Sequence, residues 1–248
     1  MKVKNRLLNY NNSIIYQDND CFLFSLDSML LANFVTIRLS DKKIIDFCSG
    51  NAPIPMLLTF RTKARLFGVE LQKYIYEMGV CSVKENKMDK QIMLINDDIN
   101  NIDNYFTSDE FDVVTCNPPY FKYNDNSLIN SNNVKAIARH EIKLTLNDVI
   151  CKAAFLLKKG GIFSLVHRPE RIVEIIDLMR KNDIEPKRLR IVYPRKGKVS
   201  NTILIEGIKG GKPGLKIEEP LYIYEGNNKY TTEVKKMFGG VADVAEKL

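Results

Sequence analysis

The feature that most constrains the fold of this chain is a repeated alternation of short apolar stretches with helical ones. Apolar runs bounded by polar residues predict strands, and they lie at 44–47, 65–69, 92–95, 111–115 and 161–166. Helical patterns follow them at 54–60, from about residue 71 onward, at 145–157 and at 169–179. This spacing predicts βαβ units, and therefore an α/β fold with a doubly wound, mostly parallel sheet.

The regions on either side of this alternation have different patterns. Residues 14–24 predict a hairpin with its turn at 18–20, and residues 25–37 predict a helix. Toward the C-terminus, strands are predicted at 189–192, 199–208 and 221–224, with a glycine-rich turn at 210–214. These strands predict an antiparallel C-terminal part of the otherwise parallel sheet. The segment 122–133 is rich in Asn and Ser and predicts a loop.

The turn after the first predicted strand of the alternation is a candidate ligand site. Ligands of open α/β sheets bind at the carboxyl ends of the strands, where a glycine lets the backbone approach them. Asp46 and Gly50 match the acid and the middle glycine of the Asp-x-Gly-x-Gly-x-Gly pattern of methyltransferases, with Asn51 following. Cys48 and Ala52 replace the other two glycines. A turn with one glycine also occurs in βαβ proteins of other functions.

Acidic residues follow the next two predicted strands. Glu70, with Leu71 beside it, stands about 20 residues beyond the first turn, where a carboxylate accepts hydrogen bonds from ribose hydroxyls. Asp97 and Asp98 end the third strand, and either carboxylate can accept the amine of an adenine. Exposed acids at a helix start or a turn are the structural alternative. An oxidoreductase would show the first two features as well.

The fourth predicted strand ends in Asn117-Pro118-Pro119-Tyr120. Methylation of a planar amine is slow because the nitrogen lone pair is delocalised. Acceptors for the amine hydrogens stabilise the charge that develops. The Asn117 side-chain oxygen and the Pro118 carbonyl can be those acceptors, two prolines stiffen the loop, and Tyr120 offers a ring for stacking on a base. Asn-Pro-Pro is also an ordinary turn sequence.

The net charge of +7 favours a polyanionic partner. The chain is rich in Lys, Asn and Ile and has no Trp, so codon bias supplies part of the lysine excess. The candidate RNA-binding residues are Arg168 and a segment without acids that holds Lys187, Arg188, Arg190, Arg195, Lys196 and Lys198. A solvated face is the alternative interpretation of this segment.

Several classes of protein are excluded by what the sequence lacks. No stretch approaches the roughly 20 apolar residues of a membrane span, and the polar residues Asn9, Asn11 and Asn12 interrupt any signal peptide. We therefore expect a cytoplasmic protein. Two histidines and five scattered cysteines without a Cys-x-x-Cys pair predict no metal site.

These motifs together resemble a known family. Residues 46–52, Gly68-Val69-Glu70 and Asn117-Pro118-Pro119-Tyr120 resemble the class I S-adenosylmethionine-dependent methyltransferases with an Asn-Pro-Pro-Tyr motif. Further stretches resemble the bacterial tRNA-1(Val) adenine-37 N6-methyltransferases, and the similarity covers essentially the whole chain. These stretches are 16–17, 24–28, 138–141, 166–171, 204–207 and 220–221.

The resemblance implies a Rossmann-like class I sheet, with residues 41–248 as the methyltransferase domain and residues 1–40 as part of it. It implies S-adenosylmethionine as cofactor and tRNA as partner, with methylation of the N6 amine of adenine 37 beside the anticodon of a valine tRNA. Such an adenine lies in a loop, so extruding it costs less than opening a duplex. Carried onto this chain, residues 117–120 are catalytic and Asp46, Cys48, Gly50, Asn51, Glu70, Leu71, Asp98 and Asn117 bind the cofactor.

Two alternatives stay open. A protein glutamine N5-methyltransferase of the release-factor type shares the motif at Asn117, but normally has an added helical N-terminal domain. Only about 40 residues precede the first strand of the alternation here. A non-catalytic RNA-binding protein on a degenerate methyltransferase scaffold is the other alternative. The intact Asp46, Glu70 and Asn117 argue against it.

Overall fold

The computed structural model describes residues 2–7, 10, 12–18, 25–118, 120, 144–226 and 228–239. The predicted strand at 21–24, Pro119 and the predicted loop at 122–133 lie outside the described residues. Among the described helices, none is both long enough and apolar enough to cross a membrane.

The described strands and helices alternate through the middle of the chain, as the sequence predicts. The strands are β1 Lys2–Arg6, β2 Ile14–Asp18, β3 Lys43–Phe47, β4 Arg65–Val69, β5 Ile92–Ile95, β6 Phe111–Cys116, β7 Leu157–His167, β8 Ile184–Tyr193, β9 Thr202–Lys209, β10 Lys216–Ile217, β11 Leu221–Tyr222, β12 Tyr224–Glu225 and β13 Lys229–Tyr230. The α-helices are α1 Leu26–Phe34, α2 Pro53–Leu58, α3 Lys73–Glu85, α4 Leu146–Leu156, α5 Ile172–Lys181 and α6 Thr232–Met237. Short 3-10 helices occupy Ile99–Asn104 and Pro169–Arg171.

The central sheet has the strand order β10-β8-β9-β7-β6-β3-β4-β5, with β11 also paired to β8. Strands β7, β6, β3, β4 and β5 are mutually parallel. Strand β9 runs antiparallel between β7 and β8. The structure therefore confirms the α/β fold with a mostly parallel sheet and an antiparallel C-terminal part.

Helices cover both faces of the sheet. Alternate residues of a strand point to opposite faces. Accordingly, Ile44 packs with the apolar residues of α1 and α2, whereas the next residue, Ile45, packs with those of α4 and α5. Because both faces are buried, the inner strands consist of nearly continuous apolar residues.

The first strand of the predicted N-terminal hairpin is confirmed as β2, and its predicted second strand, at 21–24, lies outside the described residues. Strand β2 pairs antiparallel with β1, a segment that the sequence pattern did not indicate as a strand. Strand β1 is polar (Lys-Val-Lys-Asn-Arg), so it lacks the apolar signal of a strand. The β2 backbone is held against α3, since Tyr16 N donates to Ser82 Oγ at 2.9 Å and Ile14 N donates to Asn86 Oδ1 at 2.9 Å.

The parallel strands bring their carboxyl ends to one edge of the sheet. Strand β8 is antiparallel to β9, which is antiparallel to β7, so β8 also ends at this edge. The segments 48–52, 70–72, 96–98, 117–118 and 194–201 lie at this edge, and each of them follows a strand. We call it the C-terminal edge, and it is where ligands of open α/β sheets bind.

Candidate active site

The turn after β3 keeps the backbone shape of a glycine-rich turn although two of the glycines are absent. Cys48, Gly50 and Ala52 have φ angles of +54°, +57° and +70°. This left-handed region costs a non-glycine residue about 1 kcal/mol or more. A Cβ placed on Gly50 would meet nothing within 4 Å, so the backbone there borders open space. Cys48 and Ala52 therefore adopt the left-handed conformation that glycine would adopt without strain.

Asp46 is a buried carboxylate with one unused oxygen. Thr115 donates from Oγ1 to Asp46 Oδ1 at 2.6 Å, whereas Oδ2 is buried without a hydrogen-bond partner among the described residues. Burial raises the pKa of Asp46 well above its usual range, and the nearby Glu70 acts in the same direction. A buried acceptor without a partner is rare in folded proteins and fits a donor on a bound molecule.

Glu70 connects the turn after β3 to the end of β4. Its Oε2 accepts from Gly50 N at 2.9 Å and its Oε1 accepts from Gln72 N at 2.8 Å. Burial raises the pKa of this carboxyl, and the two backbone N–H groups act against the shift. Leu71 is exposed beside it. The carboxylate thus faces the loop that contains Gly50, where the sequence predicts a ligand.

Asn51 is buried, and its side chain holds the turn against the N-terminal hairpin. Its Nδ2 donates to the Tyr16 carbonyl of β2 at 2.7 Å. The side chain of Asn51 is therefore committed to the fold, which leaves its backbone as the group available to a ligand.

The two acids after β5 differ in how many of their carboxylate oxygens accept hydrogen bonds. Asp97 Oδ1 accepts from Asp98 N at 2.7 Å, and its Oδ2 accepts from the Tyr105 hydroxyl at 2.7 Å. These bonds, the Tyr105 hydroxyl above all, lower the pKa of Asp97. Asp98 caps the 3-10 helix, with Oδ1 accepting from Asn100 N at 2.9 Å. Among the described residues, nothing donates to Asp98 Oδ2, so Asp98 has more capacity for a ligand.

The segment after β6 contacts the first turn of α1. Asn117 Nδ2 donates to Ser28 Oγ at 3.0 Å. The Tyr120 hydroxyl lies 2.5 Å from Asn117 Oδ1 and 2.8 Å from Asp27 Oδ2. Pro118, between them, is buried. Asp27 and Ser28 were not among the predicted site residues, although polar residues in the first turn of an apolar helix were a usable signal.

The ring of Tyr120 lies beside two residues from the end of β7. The guanidinium carbon of Arg168 is 4.9 Å from the centre of the ring, and Arg168 Nη1 donates to the Asn201 carbonyl at 2.7 Å. The His167 ring lies 5.3 Å away, edge-on. Arg168 therefore lies against Tyr120 and is bonded to the loop before β9.

His167 is a buried neutral imidazole. Its Nδ1 accepts from Arg168 N at 2.8 Å, which places the proton on Nε2. Burial, with the charge of Arg171, lowers its pKa to about 4. Nε2 has no hydrogen-bond partner within the described part of the chain.

The predicted basic segment divides into two groups. In β8, Arg188 pairs with Glu206 at 3.0 Å and Glu218 at 2.7 Å, and Arg190 pairs with Glu233 at 2.7 Å. Lys187, in the first half of β8, donates to the Lys212 carbonyl. The second group lies in the loop after β8, at the C-terminal edge, and consists of the exposed residues Arg195, Lys196 and Lys198. The structure thus brings this second group and Arg168 to the edge that carries Asn117.

No family model matches the sequence. The chain is 22% identical over 202 residues to the tRNA1(Val) (adenine(37)-N6)-methyltransferase of Cytophaga hutchinsonii, which covers 82% of this chain and 83% of that protein. It is 23% identical over 231 residues to the protein of the same name from Shewanella woodyi, over 90% of this chain and 93% of that protein.

Solved structures show the same architecture. A predicted O-methyltransferase from Agrobacterium tumefaciens has a TM-score of 0.70 and 23% identity, over 87% of this chain and 96% of that chain. A geranyl diphosphate C-methyltransferase from Streptomyces coelicolor, in complex with Mg²⁺, geranyl diphosphate and S-adenosyl-L-homocysteine, has a TM-score of 0.55 and 13% identity, over 73% of this chain and 79% of that chain. The chain therefore has the class I methyltransferase fold, and over most of its length its sequence is similar to the tRNA1(Val) (adenine(37)-N6)-methyltransferases.

Proposed function

We propose that this chain is an S-adenosylmethionine-dependent methyltransferase that acts on the exocyclic N6 amine of adenine 37, beside the anticodon of a valine tRNA. The observation that carries the proposal is the position of Asn117 to Tyr120. Phe47 and Cys116 are paired on the neighbouring strands β3 and β6, so the motif and the turn of Gly50 start side by side. The relatives that bear this activity in their names align over most of the chain.

The residues at the ends of β3, β4 and β5 fit the cofactor. When bound, S-adenosylmethionine supplies a methyl group carried on a positively charged sulfur. Glu70 would accept the ribose hydroxyls, a role supported by the lone pairs that its two backbone hydrogen bonds leave free on both oxygens. Asp98 would accept the adenine amine. Asp46, Cys48, Leu71 and the backbone of Gly50 and Asn51 would hold the rest of the cofactor.

The Asn117 motif supplies the chemistry on the substrate side. Asn117 Oδ1 and the Pro118 carbonyl would accept the two hydrogens of the adenine amine, which concentrates electron density on the nitrogen. Pro118 and Pro119 restrict the loop, so these acceptors need little reorganisation. Tyr120 offers its ring to the base. Arg168, which lies against that ring, can stack on a base or contact a phosphate.

The RNA would approach along the C-terminal edge. Arg195, Lys196 and Lys198 are exposed there, and each phosphate that they neutralise releases counterions. Arg188 and Arg190 are neutralised by glutamates of the chain, and Lys187 lies away from this edge. We therefore narrow the proposed RNA surface to Arg168, Arg195, Lys196 and Lys198.

Two further proposals concern the whole chain. Residues 1–40 form one domain with residues 41–248, which is supported by the bonds from Asn51 to Tyr16 and from Asn117 to Ser28. A cytoplasmic location is the one in which tRNA is available as a substrate.

The test is methyl transfer from labelled S-adenosylmethionine to an unmodified valine tRNA transcript, followed by mass analysis of its nucleosides. We expect N6-methyladenosine in that tRNA and none in a transcript with guanine at position 37. A release factor in the same assay serves as the competing substrate. Methylation of its glutamine without methylation of tRNA would replace the proposal with the protein methyltransferase, and no transfer to either would favour the non-catalytic alternative.

A further inference from the structure

The strongest unassigned arrangement in the structure is a partly buried hydrogen-bond chain that joins α1 to Asn117 and Tyr120. Asp27 Oδ2 is 2.8 Å from the Tyr120 hydroxyl, and the same hydroxyl is 2.5 Å from Asn117 Oδ1. The next residue of α1, Ser28, accepts from Asn117 Nδ2 at 3.0 Å. Two adjacent residues of one helix turn therefore contact both ends of the Asn117–Tyr120 pair.

The Tyr120 hydroxyl has more acceptors within reach than hydrogens to donate. A tyrosine hydroxyl has one hydrogen to donate, yet two acceptor oxygens lie within hydrogen-bond distance of it. A hydrogen donated to Asn117 Oδ1 takes one of the two lone pairs of that oxygen and weakens it as an acceptor for the substrate amine. The bond from Asn117 Nδ2 to Ser28 keeps the amide in the orientation that presents Oδ1 to the site. Because Asp27 Oδ2 is a second acceptor, the Tyr120 hydroxyl can release Asn117 Oδ1 and still donate its hydrogen.

We propose that Asp27 is a positioning residue for amine methylation: it accepts the Tyr120 hydroxyl hydrogen while the substrate amine binds Asn117 Oδ1. The inference rests on the proposed function. Burial raises the pKa of the Asp27 carboxyl, whereas the Tyr120 hydroxyl and the charge of Arg168, whose guanidinium carbon lies 4.9 Å from the centre of the Tyr120 ring, act against that shift. Asp27 acts through Tyr120 and does not itself touch the adenine.

Three variants separate this role from a structural one. Asp27→Ala removes the acceptor, Asp27→Asn keeps a neutral acceptor of the same shape, and Tyr120→Phe removes the donor. We expect Asp27→Ala to lower kcat about tenfold, which is the effect of one lost hydrogen bond in a buried site. Cofactor affinity and the KM for tRNA should stay within about twofold, and Asp27→Asn should recover most of kcat. Asp177→Ala, an exposed aspartate on α5, is the matched control.

The decisive measurement is the double variant, because contacting residues that act as one unit are not additive. In the Tyr120→Phe background, Asp27→Ala should cause no further loss of kcat. The inference would be overturned if the losses of kcat in the two single variants multiply in the double variant, or if Asp27→Ala is as active as the wild type. Either result would leave the proposed methyltransferase function standing. A wild-type protein that does not methylate tRNA would instead remove the proposed function. If Asp27→Ala does not fold, a Tyr120→Phe protein with a tenfold lower kcat also overturns the inference, since removing the competing hydroxyl should leave Asn117 Oδ1 open to the substrate amine.

Discussion

The backbone N–H of Gly50 donates to Glu70 Oε2 at 2.9 Å, so one buried carboxylate joins the turn after β3 to the end of β4. Glu70 is thereby positioned before any ligand arrives, and little reorganisation is needed for it to accept further hydrogen bonds. The acid also holds Gln72 N at 2.8 Å, at the start of the segment that leads into α3. If Glu70 binds the cofactor as proposed, cofactor binding and the conformation of the Gly50 turn are coupled through this side chain.

The first prediction follows from that coupling. Glu70→Ala should weaken S-adenosylmethionine binding at least tenfold, because it removes the ribose contacts and one support of the Gly50 turn; a single charged hydrogen bond accounts for about 1.5–3 kcal/mol. Isothermal calorimetry measures the affinity directly. Glu77→Ala, an exposed acid on α3, provides the control for loss of charge alone. Equal affinities in the two variants would contradict the assignment of Glu70.

The second prediction concerns Asn117. Asn117→Ala should reduce kcat by roughly two to three orders of magnitude, because an acceptor that acts in the transition state is worth about 3–4 kcal/mol. Cofactor affinity should remain within a few fold of the wild type. Single-turnover kinetics with labelled cofactor tests the first part, and calorimetry tests the second. A parallel loss of cofactor binding would mean that Asn117 supports the turn and has no role in the chemistry.

The third prediction concerns the RNA surface. If Arg195 and Lys196 contact phosphates, reversing both to Glu should weaken tRNA binding and reduce the slope of log K against log salt by about 2. Cofactor affinity should be unchanged. The matched control reverses Lys63 and Arg65, which precede or begin β4 at the opposite edge and are also exposed. Filter-binding titrations that show the same slope in both double variants would remove the loop after β8 from the RNA surface.

The fourth prediction is a pH dependence of stability. Burial lowers the pKa of His167 from 6.5 to about 4, so between these pH values the unfolded chain binds a proton that the folded chain does not. The contribution of His167 to the free energy of unfolding is therefore constant above pH 6.5. It falls by about 3 kcal/mol in total as the pH drops to 4.

Denaturant titrations at pH 7 and pH 4.5 would measure this effect as the difference between the wild type and His167→Gln. The raised pKa values of Asp27, Asp46 and Glu70 act in the opposite direction in both proteins, so the comparison cancels them. The variant should lose less stability than the wild type on acidification. An equal loss in both would show that His167 is protonated without penalty in the folded state.

Much of the fold could be predicted because its signal is local. The apolar runs at β3, β4, β5 and β6 stand between polar turns, and burial of both sheet faces requires such runs. Strand β1 was not predicted because its residues are polar. It is recognised as a strand by its pairing with β2, which is a contact between separate segments. The acids and the glycine at the strand ends could also be located, since the carboxyl ends of parallel strands must meet at one edge.

What the sequence by itself determined is therefore the order of the elements and the set of residues at the C-terminal edge, because strand period and turn chemistry depend on near neighbours in the chain. Only the tertiary structure decided which of these residues touch. Asp27 and Tyr120 are 93 positions apart and meet through one hydroxyl. Arg188 lies in the same basic run as Arg195, yet two glutamates that are distant in sequence neutralise it. Such contacts cannot be predicted from composition and spacing, because the energy of a hydrogen bond or an ion pair depends on distance in space and not along the chain.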